Sequence, residues 1–570
     1  MRAYLSTSRA FPHLVFLAVI ASVTLFFRLG ALPLTGADEP RYARIAEEMR
    51  DRGAWVTPSL QGSPWLEKPP LYYWITRPFY SVFNTSEVAA RVGPALCALI
   101  TALAVYWIGS VLWTPLAGIL SSCMLLTTLG WAGFGRSATT DMPFTCCLTL
   151  ALAILTAAVG KPSRESITSS SKCKIPASLF TLLAWIFLGF AVLGKGPVAV
   201  VLAAGIILSF WLLDERGDAR RRCMPFVGVL LTAVVALPWF WLAFRENGYA
   251  FIATFFINHN LARYTTDVHH HAQPFYYYLL VLPALFFPWS GWLLALMPKS
   301  RQSFTRGLRN RRQWHSGTVF ITCWFFVPMI FFSLSGSKLA GYILPSLPPL
   351  ALLIGARLAE FIQGKRELPR LRAGLYVNLI LSIGMAIAAP IFFQKDYGGN
   401  WKVGLSISAA VLLPAIVAFL YGRKSSRGDA VIPSESGSRN DGGKNCLTAI
   451  KFTILQGGLL VGAAAVFAFP VLGDYHSTRA IAYQALELKQ GDEPIVMYRF
   501  FHHTLQYYTG YIAEKRIDEI DALRRFARTN PSFLVVTKKD GTRDIEDCGV
   551  FATELLFRQG NFVLLRLTSK

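Results

Sequence analysis

Apolar runs of roughly 20 residues follow one another along the chain from Phe11 onward, separated mostly by short polar turns. A helix of about 20 apolar residues crosses a hydrocarbon core, so each run predicts one membrane span. Thirteen are expected, near residues 11–29, 88–110, 112–131, 142–160, 177–194, 196–213, 224–244, 275–297, 317–335, 339–361, 373–393, 403–422 and 450–472. The sequence Gly194-Lys195-Gly196-Pro197 divides the 177–213 stretch in two. One polar interruption, residues 36–74, lies directly after the first run. Within it Tyr42, Ile45, Ala46 and Met49 recur at helical spacing behind Asp38-Glu39-Pro40, which predicts an amphipathic helix in the membrane interface. After Pro470 the pattern shortens. Strands are expected at 494–500, 532–538 and 562–567 and a helix at 517–528. The fold class is therefore a polytopic α-helical membrane protein, with a membrane domain over 1–472 and a small soluble α/β domain over 473–570.

Composition agrees. The 570 residues are 53% hydrophobic and 16% charged, against about 25% charged in soluble proteins. In a soluble domain the net charge of +23 would suggest a nucleic-acid partner. Here the cations fall in short loops between spans, where topology accounts for them, and nucleic acid is discounted. The basic loops at 161–174, 214–223, 299–312, 363–372 and 422–451 all take the cytoplasmic side if the N-terminus does. Residues 423–446, rich in Ser and Gly, read as a flexible part of the last loop. The 36–74 segment and the C-terminal domain then lie on the external face of the membrane. Arg2 and Arg9 precede a first run too long for a cleaved signal core, so an uncleaved signal-anchor is expected. Nine cysteines form neither a CxxC pair nor a disulfide framework.

This topology gathers the charged residues beside helix ends on one face: the 36–74 segment, the Gly133–Asp141 turn, Lys195, the 245–274 loop and Lys338. Desolvating such groups is expensive, which makes each a functional candidate. Each also has a plainer reading. Asp38 and Asp141 sit where helices begin and fit N-caps. Lys68 and Lys338 fit snorkelling side chains, and Tyr72-Tyr73-Trp74 an interfacial belt. Glycines on both sides of Lys195 would let a ligand approach closely. The 245–274 loop adds His259, Arg263 and the run His269–His271, whose members are too close in sequence to converge readily on one metal ion. Taken together, Lys68, Lys195, Arg263 and Lys338 suit a clamp on a lipid phosphate, with a carboxylate opposite to orient or deprotonate a nucleophile. His502 and His503 read as a surface pair on a domain that acts as a lid or acceptor dock.

At these same residues the sequence resembles a known family. GADEPRYARIAEEM, LEKPPLYYW, RSATTDMP, GKGP and SKLAGYILPSLPPLALL resemble motifs of the bacterial C-type (GT-C) membrane glycosyltransferases, which include lipid A aminoarabinose transferases and relatives of the protein O-mannosyltransferases. The resemblance covers most of residues 10–360 and extends to the thirteen-span layout. It implies transfer, with inversion, of a sugar from a polyprenyl-phosphate donor outside the cytoplasmic membrane, to lipid A or a related envelope glycolipid; the alternative acceptor is protein Ser/Thr. By the same resemblance Asp38 is the catalytic carboxylate with Glu39 its neighbour, and Lys68 and Arg263 hold the donor phosphate. Asp141, Lys195, Arg41, Tyr42 and Tyr342 line the cavity, and Glu67 and His259 match a divalent metal site, zinc by resemblance. A monomer acting within the membrane is implied. LEKPPLYYW and Pro40 depart from the aminoarabinose pattern, which leaves sugar and acceptor open. A transporter, the rival class, would place its charges near the bilayer midplane on repeat-related helices, and no repeat is evident.

Overall fold

The computed structural model describes residues 7–160, 177–214, 222–265, 273–297, 315–365, 370–425, 438–513 and 515–569. His269–His271 and most of the basic loops lie outside the described residues.

Among the described residues nine helices are long and apolar enough to cross a membrane, or ten if the bent pair Pro115–Thr127 and Leu129–Gly135 is one span. That pair bends by 67°. Three shorter apolar helices, Ala10–Phe26, Val198–Leu213 and Tyr277–Phe286, occupy further expected positions. The 275–297 stretch departs from a single helix. It breaks after Phe286 at Phe287-Pro288 and resumes as a 3-10 turn over Ser290–Leu296. Two helix starts carry side-chain caps that their sequences predict. Ser86 and Thr114 accept the Ala89 and Ala117 amides, and Pro115 takes the first turn of its helix. A Cβ on Gly118 would lie 2.4 Å from the Tyr106 carbonyl, so the Glu87–Leu112 and Pro115–Thr127 helices pack backbone against backbone.

The 36–74 segment folds against the bundle. Its helix runs Asp38–Asp51, and a second amphipathic helix, Leu71–Phe83, packs beneath it. Between them the Ser59–Pro64 hairpin hangs from buried Glu48, whose carboxylate accepts Ser59 Oγ at 3.0 Å, Gln61 N at 2.8 Å and Gly62 N at 3.3 Å.

The C-terminal domain is a five-stranded sheet in the order Lys515–Ile517, Ile495–Tyr498, Ser532–Lys538, Phe562–Ser569, Phe551–Gln559. The first three strands are parallel and the last two pair antiparallel, with Val535 opposite Leu565. Both strands missing from the sequence reading are edges. Their side chains are largely exposed and lack the buried apolar run that marks the central three. Pairing of Lys515–Ile517 also moves the start of the expected 517–528 helix to Ile520.

The two expected domains share a core. Tyr42, Ile45, Met49, Tyr72 and Tyr80 of the polar segment are buried in one cluster with Ile481, Ala485, Leu505 and Val536 of the C-terminal domain. The seam is polar as well as apolar. The Leu34 amide donates to Tyr508 Oη at 2.8 Å, Tyr508 donates to Glu87 at 2.9 Å, and Arg479 pairs with Glu87 at 3.0 Å. Arg44 lies over the Tyr511 ring at 5.0 Å.

Candidate functional site

Asp38 and Glu39 are adjacent, yet a helical step of about 100° sends their side chains in different directions. Glu39 turns inward and is buried. Its carboxylate accepts Arg91 Nε at 2.9 Å and Nη2 at 2.7 Å, the Ala138 amide at 2.8 Å and the Thr35 amide at 3.0 Å. Arg91, also buried, donates to the carbonyls of Leu29, Leu32 and Pro33. Burial pushes the Glu39 acidity one way, and the Arg91 guanidinium and these donors overcome it, so its pKa falls below the ordinary value. Glu39 is therefore a permanent anion. It ties the end of the first span, the start of the Asp38 helix and the turn before Asp141 to one point.

Asp38 stays half exposed. The helix begins at Asp38 itself, with Ala37 before it and no side-chain cap. Its carboxylate meets Arg41 Nη2 at 2.5 Å, and the Arg41 guanidinium lies over Trp65 at 5.3 Å. Asp141 likewise opens its helix without capping it; its carboxylate pairs with Lys195 Nζ. The N-cap readings fail at both positions because each carboxylate has a cation to engage.

The strap ahead of Glu67-Lys68 is pinned on two sides. Trp74 Nε1 donates to the Trp55 carbonyl at 3.0 Å, and Arg77 covers Trp55 at 4.0 Å. Trp239 Nε1 reaches the Val56 carbonyl at 2.9 Å, and Asn247 reaches Thr57 Oγ1 at 2.8 Å. Lys68 is thereby held among charges of both signs. Burial lowers its pKa to about 8, with Arg263 and Lys195 adding to the shift and Glu67 and Asp38 opposing it. Burial raises the Glu67 pKa against the pull of Lys68, Arg41 and Arg263. Tyr342 joins the second cation pair, with Lys195 5.0 Å and Arg263 5.8 Å from its ring. Arg263 follows a π-helical stretch, Ile252–Ala262, that also carries His259.

The structure thus brings together Asp38, Arg41, Glu67, Lys68, Asp141, Lys195, Arg263 and Tyr342. Tyr42 packs against the Tyr72 and Tyr73 rings and is buried. Lys338 neither snorkels nor joins the clamp: it is buried and donates to the Ser335 carbonyl at 2.6 Å. The glycines around Lys195 serve packing, since a Cβ on Gly196 (φ +78°) would lie 2.6 Å from the Phe255 ring and one on Gly194 3.1 Å from Phe144. His259 Nε2 and Glu67 Oε1 stand 3.6 Å apart. Among the described residues no group of three or more His, Cys, Asp or Glu side chains gathers as a metal site. Two donors make half of a zinc shell, so a divalent ion would fit there only with ligands from substrate or water completing it.

Sequence reading missed Arg91. Its signal was present: a lone Arg in the apolar run EVAARVGPALCALI has to be paired. It also took His502 and His503 as equivalent, and they are not. His502 Nδ1 bonds Thr504 Oγ1 at 2.6 Å and its ring packs on Phe562. His503 faces the Asp38 helix.

The fold is that of a multi-pass membrane protein in which charged side chains gather beside helix ends. The sequence model described as dolichyl-phosphate-mannose-protein mannosyltransferase matches residues 15–252. An undecaprenyl phosphate-alpha-4-amino-4-deoxy-L-arabinose arabinosyl transferase of Pseudomonas fluorescens is 31% identical over 68% of the chain and 64% of its own length. A transferase of the same description from Pectobacterium atrosepticum is 30% identical over 66% of each. The match spans just under two thirds of these relatives. Among solved structures, ArnT from Cupriavidus metallidurans bound to undecaprenyl phosphate shares the fold with a TM-score of 0.72, at 21% identity over 97% of both chains. The archaeal oligosaccharyltransferase AglB from Archaeoglobus fulgidus aligns with a TM-score of 0.50 at 12% identity, over 93% of this chain and 70% of its own. In sequence the chain is therefore similar to polyprenyl-phosphate-dependent membrane glycosyltransferases over about two thirds of its length, and in fold over nearly all of it.

Proposed function

We propose that the chain transfers a sugar from a polyprenyl-phosphate carrier to lipid A or a related envelope glycolipid, at the external face of a bacterial inner membrane. The observation that carries this reading is the gathering of Lys68, Arg263 and Lys195 near Asp38, where burial first and the neighbouring cations second lower the Lys68 pKa. A site held in that state favours a phosphate, which restores the charge balance. The relatives named for undecaprenyl-phosphate aminoarabinose transfer point to the same donor class and to an aminopentose as the sugar.

In this reading the carrier phosphate lies against Lys68 and Arg263, with Lys195 held close by Asp141. The bond between the sugar anomeric carbon and the carrier phosphate breaks, the phosphate leaves with the electron pair, and the three cations stabilise its growing charge. The acceptor oxygen attacks from the opposite face, which inverts the centre. Asp38 orients that oxygen and takes its proton where it carries one. Phosphate as leaving group requires no acid. A divalent ion bound by Glu67 and His259 would add positive charge beside the leaving group. Counting both the bent pair and the three short apolar helices as spans gives thirteen, with the N-terminus cytoplasmic and the C-terminal domain external, and the chain works as a monomer.

The test is transfer by purified protein from an undecaprenyl-phosphate aminopentose to lipid A, read by mass spectrometry. Asp38→Asn should lower the rate by about 10²–10⁴-fold at unchanged abundance. Full activity in both Asp38→Asn and Lys68→Ala would remove the site. Label on Ser or Thr of envelope proteins in place of lipid A would move the acceptor and keep the site.

A further inference from the structure

The C-terminal domain packs against the helix that carries Asp38. Its short helix His503–Tyr508 packs on the Asp38–Asp51 helix, where Leu505 and Tyr508 share a buried cluster with Tyr42, Ile45 and Met49. At the head of that helix the His503 ring packs edge-on against Phe501, with centroids 4.6 Å apart. Phe501 is exposed. Among the described residues the His503 nitrogens have no hydrogen-bond partner, in contrast to His502. Across the gap stand Arg41 and Asp38, both close enough for their charges to act on the imidazole. Beyond Arg41 lies Trp65, whose indole N–H is buried without a partner.

These groups adjoin Asp38 and differ in chemistry from the cluster of Lys68, Arg263, Lys195 and Tyr342: two aromatic surfaces, a guanidinium that pairs with the carboxylate and covers Trp65, and an imidazole with open nitrogens. Burial, with Arg41 adding to it and Asp38 opposing, lowers the His503 pKa to about 4. The ring is then neutral at pH 7, one nitrogen donating and the other accepting. Aromatic faces with neutral hydrogen-bonding groups recognise the apolar faces and hydroxyls of a sugar ring.

We propose that Phe501 and His503 of the C-terminal domain, with Arg41 and Trp65 of the polar segment, form the acceptor subsite and hold the saccharide headgroup of the acceptor lipid against Asp38. His503 acts there as a specificity-determining residue. The domain is then a fixed wall of the site, since its core is continuous with that of the segment bearing Asp38. This rests on the transfer reading above and adds which part of the chain meets the acceptor.

Steady-state transfer with the full-length protein tests it, using undecaprenyl-phosphate 4-amino-4-deoxy-L-arabinose as donor and purified lipid A as acceptor. His503→Ala should raise the acceptor KM about three- to tenfold, with donor KM and kcat unchanged. His503→Gln, which keeps a donor and an acceptor, should recover most of that loss. Phe501→Ala should raise the acceptor KM by a similar factor. An unchanged acceptor KM in both alanine variants would overturn the subsite and leave the transferase reading standing. A drop in kcat that tracks loss of folded protein, with both KM values unmoved, would assign His503 to domain docking and overturn it too. If the wild-type protein transfers no sugar at all, the function reading falls and the subsite falls with it.

Discussion

Two charged clusters lie within one short segment, and they are built on opposite plans. Around Glu39 the accounts of donors and acceptors close: five donor contacts reach the carboxylate, and the Arg91 fork also satisfies three backbone carbonyls. Around Lys68 they stay open: Asp141 answers Lys195 and Asp38 answers Arg41, while Lys68 and Arg263 crowd together beside them. A saturated buried pair fixes geometry and has nothing left to offer a ligand. An unsaturated cluster at the surface is less stable by itself and becomes stable when an anion arrives. Charge in a membrane protein is therefore no sufficient mark of function; the degree of compensation separates an anchor from a site.

The contrast can be broken most severely at Arg91. Arg91→Ala strands a buried carboxylate and should cost about 3–5 kcal/mol, seen as a large fall in Tm and abundance. If Arg91→Ala folds normally but loses transfer, Glu39 belongs to the chemistry and the division fails. Lys68→Met is the matched experiment at the open cluster. It should leave Tm unchanged or slightly raised, since it relieves crowding with Arg263 and Lys195, while weakening donor binding about 10- to 100-fold.

A pH series sharpens the same point. With its pKa lowered to about 8, Lys68 in the empty site is cationic below that pH and loses its proton above it, whereas bound phosphate favours the charged form. Donor KM should be flat up to pH 8 and then rise by about tenfold per pH unit, and the rise should vanish in Lys68→Met. The smallest effect is expected from chelation. Because three cations already cover the phosphate, EDTA should raise donor KM by about threefold or less, roughly one modest hydrogen bond's worth. Complete loss of activity restored by zinc would give Glu67 and His259 a larger role.

Among the described residues, nine or ten membrane helices were legible because hydropathy marks them, and so were the three central strands, whose apolar runs are buried on both faces. The gathering of Lys68, Arg263 and Lys195 was legible as geometry because cations at apolar helix ends need a partner. The Glu39–Arg91 pair was not, since its members are 52 residues apart and sequence adjacency drew Glu39 to Asp38. Lys338 failed for a related reason. Its position matched the others, but a carbonyl three residues back answers its charge locally. The exposed edge strands and the separate fates of His502 and His503 depend on neighbours that only the assembled sheet supplies.

The bond from the Leu34 amide to Tyr508 joins residues 474 positions apart, and it has a temporal meaning. Ribosomes deliver the Asp38 segment first and its covering domain last. Through nearly the whole of synthesis, Tyr42, Ile45 and Met49 lack the surface that finally buries them. The cations near Lys68 are in place once the membrane helices have assembled, whereas the Phe501–His503 surface exists only after the C-terminal strands emerge. Under the proposed transfer, a carrier lipid would meet a half-built site before an acceptor could meet a finished one.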